Sequence, residues 1–109
     1  MAITSYGFQA HHAAISVTSA GDSTIIAAVA GMKIRVVSLF IVSSGGTASL
    51  KFQSSTTTDL TGPIVVEDQS KFDLDINEYG HFNTAAGEAL SLNVSNKITL
   101  GGAITYFLC

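Results

Sequence analysis

Apolar residues recur along this chain with a period of two. Ala48, Leu50 and Phe52 alternate with Ser49, Lys51 and Gln53, and Leu90, Leu92 and Val94 alternate with Ser91, Asn93 and Ser95. Ile15 and Val17 alternate with Ser16 and Thr18, and Phe72, Leu74 and Ile76 with Asp73, Asp75 and Asn77. Successive side chains of an extended strand point to opposite faces, so each run reads as a strand with one face in a core and one in water. Phe52 and Leu92 are thereby assigned to the core, and Gln53 and Asn93 to the wet face. Further strands are read at Thr24–Val29, at Ile64–Val66 as an edge after Pro63, and at Ile98–Cys109. In the last of these, Gly101-Gly102 marks a bulge or a close backbone approach. Ser54–Thr61, rich in Ser and Thr, reads as a surface loop. About eight strands separated by turns, with no helical pattern of ten residues, predict an all-β fold: an antiparallel β-sandwich of jelly-roll type.

The longest β-favouring run is Lys33–Ser44. Strict alternation puts Ile34, Val36, Phe40 and Val42 on one face with Ser38, and Lys33, Arg35, Val37, Leu39 and Ile41 on the other. Its second half is therefore apolar on both faces, unlike a strand with one wet side. The short link Ser44-Gly45-Gly46-Thr47 predicts an antiparallel hairpin with Thr47–Ser54. A face that remains apolar after the core is filled needs cover, and a second copy of the chain supplies it most simply. Val37, Leu39 and Ile41 are the candidate contact residues on this strand.

Residues 1–14 have no settled period and read as an N-terminal arm preceding a single sandwich domain over 15–109. Ile3, Tyr6 and Phe8 alternate loosely with small polar residues there, which suits a segment laid on a neighbour. These three complete the candidate contact set.

Composition strengthens the expectation of assembly. Of the 109 residues, 47% are hydrophobic and only 12% charged, about half of the roughly 25% usual in soluble domains. A homo-oligomer is expected, a trimer in first place. The net charge of −3 without a basic run argues against nucleic acid. No apolar stretch reaches the about 18 residues of a membrane span, and Met1–Phe8 lacks the features of a signal peptide. Cys109 is the sole cysteine, which excludes an internal disulfide and reads as a small apolar residue closing the last strand.

Chemistry-bearing patterns are sparse. His11 and His12 are adjacent, so on an extended chain they point apart and do not chelate one metal. Asp73, Asp75 and Asn77 mimic the start of a calcium loop, but Glu78 stands where Gly is required and Thr84 where a bidentate Glu is needed. The acids read instead as a solvated strand face. His81, between Gly80 and Phe82, reads as a structural histidine. No serine lies in a G-x-S-x-G elbow and there is no phosphate-binding glycine loop. The expectation is a protein without catalytic residues, metal or cofactor.

The segment Gly80-His81-Phe82-Asn83-Thr84-Ala85-Ala86-Gly87-Glu88-Ala89-Leu90-Ser91-Leu92-Asn93-Val94 resembles small β-sandwich structural proteins of tailed bacteriophages. The run from Gly31 to Pro63, with its "IRV" strand, glycine turn and "TGP" loop, is similar to the same proteins, so the resemblance covers roughly 30–109. It implies a virion component: a capsid decoration (cement) protein, made in the host cytoplasm, that binds the major capsid protein on the outer surface of a phage head. The competing implication is a trimeric tail or fibre module that binds a host-surface glycan. The chain has no tryptophan, the usual platform for a sugar ring, and this favours the capsid role.

Overall fold

The structure is a computed structural model and describes residues 9–77 and 79–109. Among these residues ten strands form two antiparallel five-stranded sheets packed face to face. Sheet A joins β1 (His11–Val17), β10 (Thr99–Leu108), β3 (Ile34–Ser44) and β7 (Lys71–Leu74) in that order, with β8 (Phe82–Asn83) also paired to β3. Sheet B joins β2 (Gly21–Ile26), β9 (Leu90–Val94), β4 (Ala48–Ser54) and β5 (Thr58–Asp59), with β6 (Ile64–Val66) also paired to β4. Among the described residues the first strand pairs with the last and the second with the last but one. The expected antiparallel sandwich is what forms; the additional strands are the two-residue ladders β5 and β8.

The core lies between the sheets and follows the alternation. Ile15, Val17, Leu39, Ile41, Leu100 and Ile104 enter it from sheet A, and Leu50, Phe52, Leu90, Leu92 and Val94 from sheet B. Phe52 stands beside Leu92 in the β4–β9 ladder, and both are fully buried. The Phe52 ring also meets Phe82 of the opposite sheet, with centroids 5.1 Å apart.

Three local expectations are corrected. The run Lys33–Ser44 does not form a hairpin with Thr47–Ser54: β3 lies in sheet A and β4 in sheet B. Gly45 (φ 94°) and Gly46 (φ 139°) carry the chain from one sheet to the other, a backbone path closed to most side chains. Second, β2 spans Gly21–Ile26, not Thr24–Val29. Its partner β9 begins at Leu90 opposite Ile26, so Ala27–Ala30 have no ladder to join and are exposed. Third, His11–Ala14, read as part of the arm, form the first half of β1 and pair with Tyr106–Ala103.

The β3 faces also differ from strict alternation. Thr105 pairs with Ser38 but Tyr106 pairs with Val36, so Val37 is an extra residue, a bulge. A bulge exchanges the two faces of all that follows. Ile34 and Val36 point inward as read, but beyond the bulge Leu39, Ile41 and Ser43 are the buried positions, while Phe40 and Val42 are exposed.

A buried hydroxyl fixes the start of β3. Thr84 Oγ1 accepts a hydrogen bond from the Ile34 amide at 3.0 Å, and the Thr84 amide donates to the Ile34 carbonyl at 3.0 Å. Thr84→Val keeps the volume but strands the Ile34 N–H in the interior. The expected loss is about 1–3 kcal/mol, read from the shift of the urea midpoint; a loss below about 0.5 kcal/mol contradicts the role given to the hydroxyl.

Candidate assembly surface

The outer face of sheet B is largely polar and cross-linked, with Val65 of the edge strand β6 exposed on it. Asn93 Nδ2 donates to Asp22 Oδ1 at 2.8 Å, Gln53 Nε2 to Asp59 Oδ1 at 3.0 Å, and Lys51 Nζ lies 3.3 Å from Asp59 Oδ2. The hydrogen bond from Gln53, then that from Lys51, hold the Asp59 carboxyl below its ordinary value. Gln53 is not on a wet face as the pattern suggests: it is 8% exposed, because β5 folds back beside the end of β4. Asn93 does face outward and is half-buried.

The outer face of sheet A has an apolar centre. Its register sets three rows side by side: His12, Thr105 and Ser38; Ala14, Ala103, Phe40 and Asp73; Ser16, Gly101, Val42 and Lys71. Phe40 and Val42 are 48% and 46% exposed. Beside them Ala103 and Gly101 offer almost no side chain, and a Cβ added to Gly101 would meet nothing within 4 Å. On the edge strand β7, Lys71 Nζ and Asp73 Oδ2 are 3.8 Å apart.

The candidate contact residues fall as follows. Val37, Leu39 and Ile41 are all buried within the subunit, at 1%, 4% and 1% exposure. Their side chains are spent inside one copy, and the Val37 bulge is the physical reason. Phe40 and Val42 hold the outward positions of the same strand. Ile3, Tyr6 and Phe8 lie outside the described residues. Sequence reasoning missed Phe40, Val42, Gly101 and Ala103 as neighbours. The Gly101-Gly102 pair was the available signal, and its meaning is close approach: the shift in β10 lies at Thr105/Tyr106 and not at the glycines.

The histidines and acids take ordinary structural places. His11 stacks on Tyr106 with centroids 5.3 Å apart, whereas His12 Nδ1 lies 3.1 Å from Thr105 Oγ1, so the adjacent rings point to opposite faces. His81 Nε2 is 2.7 Å from the Asp75 carbonyl oxygen. Asp73 and Asp75 are exposed, and among the described residues no three His, Cys, Asp or Glu side chains are grouped to hold a metal ion. Cys109 is a free thiol whose backbone pairs with Lys33 at 2.7 and 2.9 Å. No helix among the described residues is long and apolar enough to cross a membrane.

No family model matches the chain, and no curated protein matches it in sequence. Solved structures do resemble it. A protein from work on Bacillus endospore appendages, described as a family of disulfide-linked pili, aligns over 93% of this chain and 86% of its own at 14% identity, with a TM-score of 0.57. PirA aligns over 90% of this chain and 92% of its own at 14% identity and a TM-score of 0.46. A chain of the cyanophage Pam1 capsid asymmetric unit aligns over 92% of this chain and 84% of its own at 12% identity and a TM-score of 0.46. At such identity, the likeness to the endospore-appendage protein is one of fold: this chain is an all-β sandwich of the kind that pilus protein also adopts.

Proposed function

We propose that the protein is a non-enzymatic structural subunit of a virion, a capsid decoration protein that binds the major capsid protein on the outside of a phage head as a homo-oligomer. The observation that carries this reading is the outer face of sheet A, a strand surface with exposed Phe40 and Val42 at its centre and the Lys71–Asp73 pair on its edge strand. Exposed apolar patches on small domains mark contact sites. The low charge of the chain and the resemblance of residues 30–109 to phage sandwich proteins support the same reading. An oligomer that covers this face, three-fold or two-fold, answers the shortage of charge. Ile3, Tyr6 and Phe8 are assigned to the capsid, as apolar residues ahead of a sandwich whose first described ladder begins at His11.

The test uses heads lacking this protein. The full chain is expected to co-sediment with them saturably, at a fixed number of copies per head. A variant lacking residues 2–9 is expected to melt within a few degrees of the full chain, because no described ladder is touched, and to attach at least tenfold more weakly. Absence of saturable attachment by the full chain sinks the capsid assignment, and undiminished attachment by the shortened chain removes the role of the arm.

A further inference from the structure

We infer that the outer face of sheet A pairs with the same face of a second copy about a two-fold axis parallel to the strands, between β10 and β3. The inference deepens the assembly reading and rests on it. Such an axis keeps each row of the sheet opposite itself but reverses the order across it, so β3 lies over the partner's β10 and β7 over the partner's β1.

The side chains suit this reversal. Phe40 and Ala103 share a row, as do Val42 and Gly101. Reversed, each large residue meets the small one of the other copy, twice over. At Gly101 the space is free, since an added Cβ would touch nothing. The rim agrees as well. Asp75 follows Asp73 by one strand period, is exposed, and takes part in neither of the ion pairs among the described residues. In the register continued from Phe40–Asp73 it stands in the row of Ser38, Thr105 and His12. Reversal brings His12 of one copy to Asp75 of the other. With Nδ1 engaged by Thr105, the ring has Nε2 left for that carboxylate. Lys71 falls opposite Ser16 and Asp73 opposite Ala14, so no like charges meet.

The size of the face sets the strength. Four strands about 4.8 Å apart and about 20 Å long give on the order of 400 Å² per copy, near 800 Å² in total. Stable complexes bury roughly 1,200–2,000 Å². The contact is therefore a weak one, suited to copies already held close together.

Sedimentation equilibrium of the full chain tests this. The weight-average mass is expected to rise from 11.3 kDa toward twice that between about 10 µM and about 1 mM. Phe40→Glu should hold the protein monomeric throughout. Gly101→Val, at an open β position where a side chain fits, should fold at least as stably yet lower association about tenfold or more by filling the dent. His12→Glu should weaken association about tenfold, and the pair His12→Glu with Asp75→Lys should restore it to within about threefold. A mass constant at 11.3 kDa, a three-fold end point, or unchanged association in Phe40→Glu overturns the inference. So does tighter association in Gly101→Val. A wild-type monomer that still saturates capsid heads removes this contact alone and leaves the capsid assignment standing.

Discussion

Truncation of Phe52 to alanine is expected to lower stability by about 3–5 kcal/mol, a large share of what a domain of this size has. Phe52 is 0% exposed and sits on β4 between the β9 ladder and the returning β5 strand. Its ring reaches across the sandwich to Phe82 of β8, the short strand paired with β3. Removal leaves a cavity that neither sheet collapses into easily, because the strands on either side are fixed by their own hydrogen bonds. Part of the loss is the ring pair itself, worth about 0.5–1.5 kcal/mol beyond area. The measurement is the urea midpoint at unchanged slope, set beside Asn93→Ala on the outward side of the neighbouring strand. That substitution gives up only an exposed hydrogen bond to Asp22 and is expected to cost below about 1 kcal/mol. Similar losses at both positions contradict the burial described.

The positions that sequence placed well are those where a strand has one core face and one outer face. Leu50, Phe52, Leu90, Leu92 and Val94 needed nothing beyond a period of two, since flat strands keep their alternation. The readings that failed are non-local. The path after Ser44 depends on the conformations of Gly45 and Gly46, and glycine is permissive enough to serve a hairpin or a crossing between sheets. The extra residue at Val37 carries no compositional mark: Arg35, Val36, Val37 and Ser38 read as ordinary strand, and only the partner β10 shows that two residues face one. That single insertion decides which residues of the second half of β3 face the core and which the surface. It moves the candidate contact from Leu39 and Ile41 to Phe40 and Val42. Gln53 failed for a third reason, a cover supplied by the two-residue strand β5, too short to show a period.

Gly102→Ala is expected to cost about 3 kcal/mol or more, whereas Gly101→Ala, one residue earlier, is expected to be neutral or to stabilise by about 0.5 kcal/mol. The contrast does not come from backbone conformation, since neither glycine has the positive φ found at Gly45 and Gly46. It comes from room. A Cβ at Gly102 would fall on the carbonyl oxygen of Phe40 and lie 3.1 Å from the Ile41 Cα, and both neighbours are main chain of β3. A flexible side chain could swing aside; the middle strand of sheet A cannot, because β10 bonds to it on one side and β7 on the other. Relief therefore requires opening the β3–β10 ladder at Gly102–Ile41, the row that also holds Ile15 and Phe72 on the core side. At Gly101 the added methyl projects into open space on the outer face and reduces the freedom of the unfolded chain. Urea denaturation of the two variants side by side decides the matter. Equal effects would mean that β10 does not approach β3 at Gly102 as described, and the rows that align Phe40 with Ala103 and Val42 with Gly101 would fall with that approach.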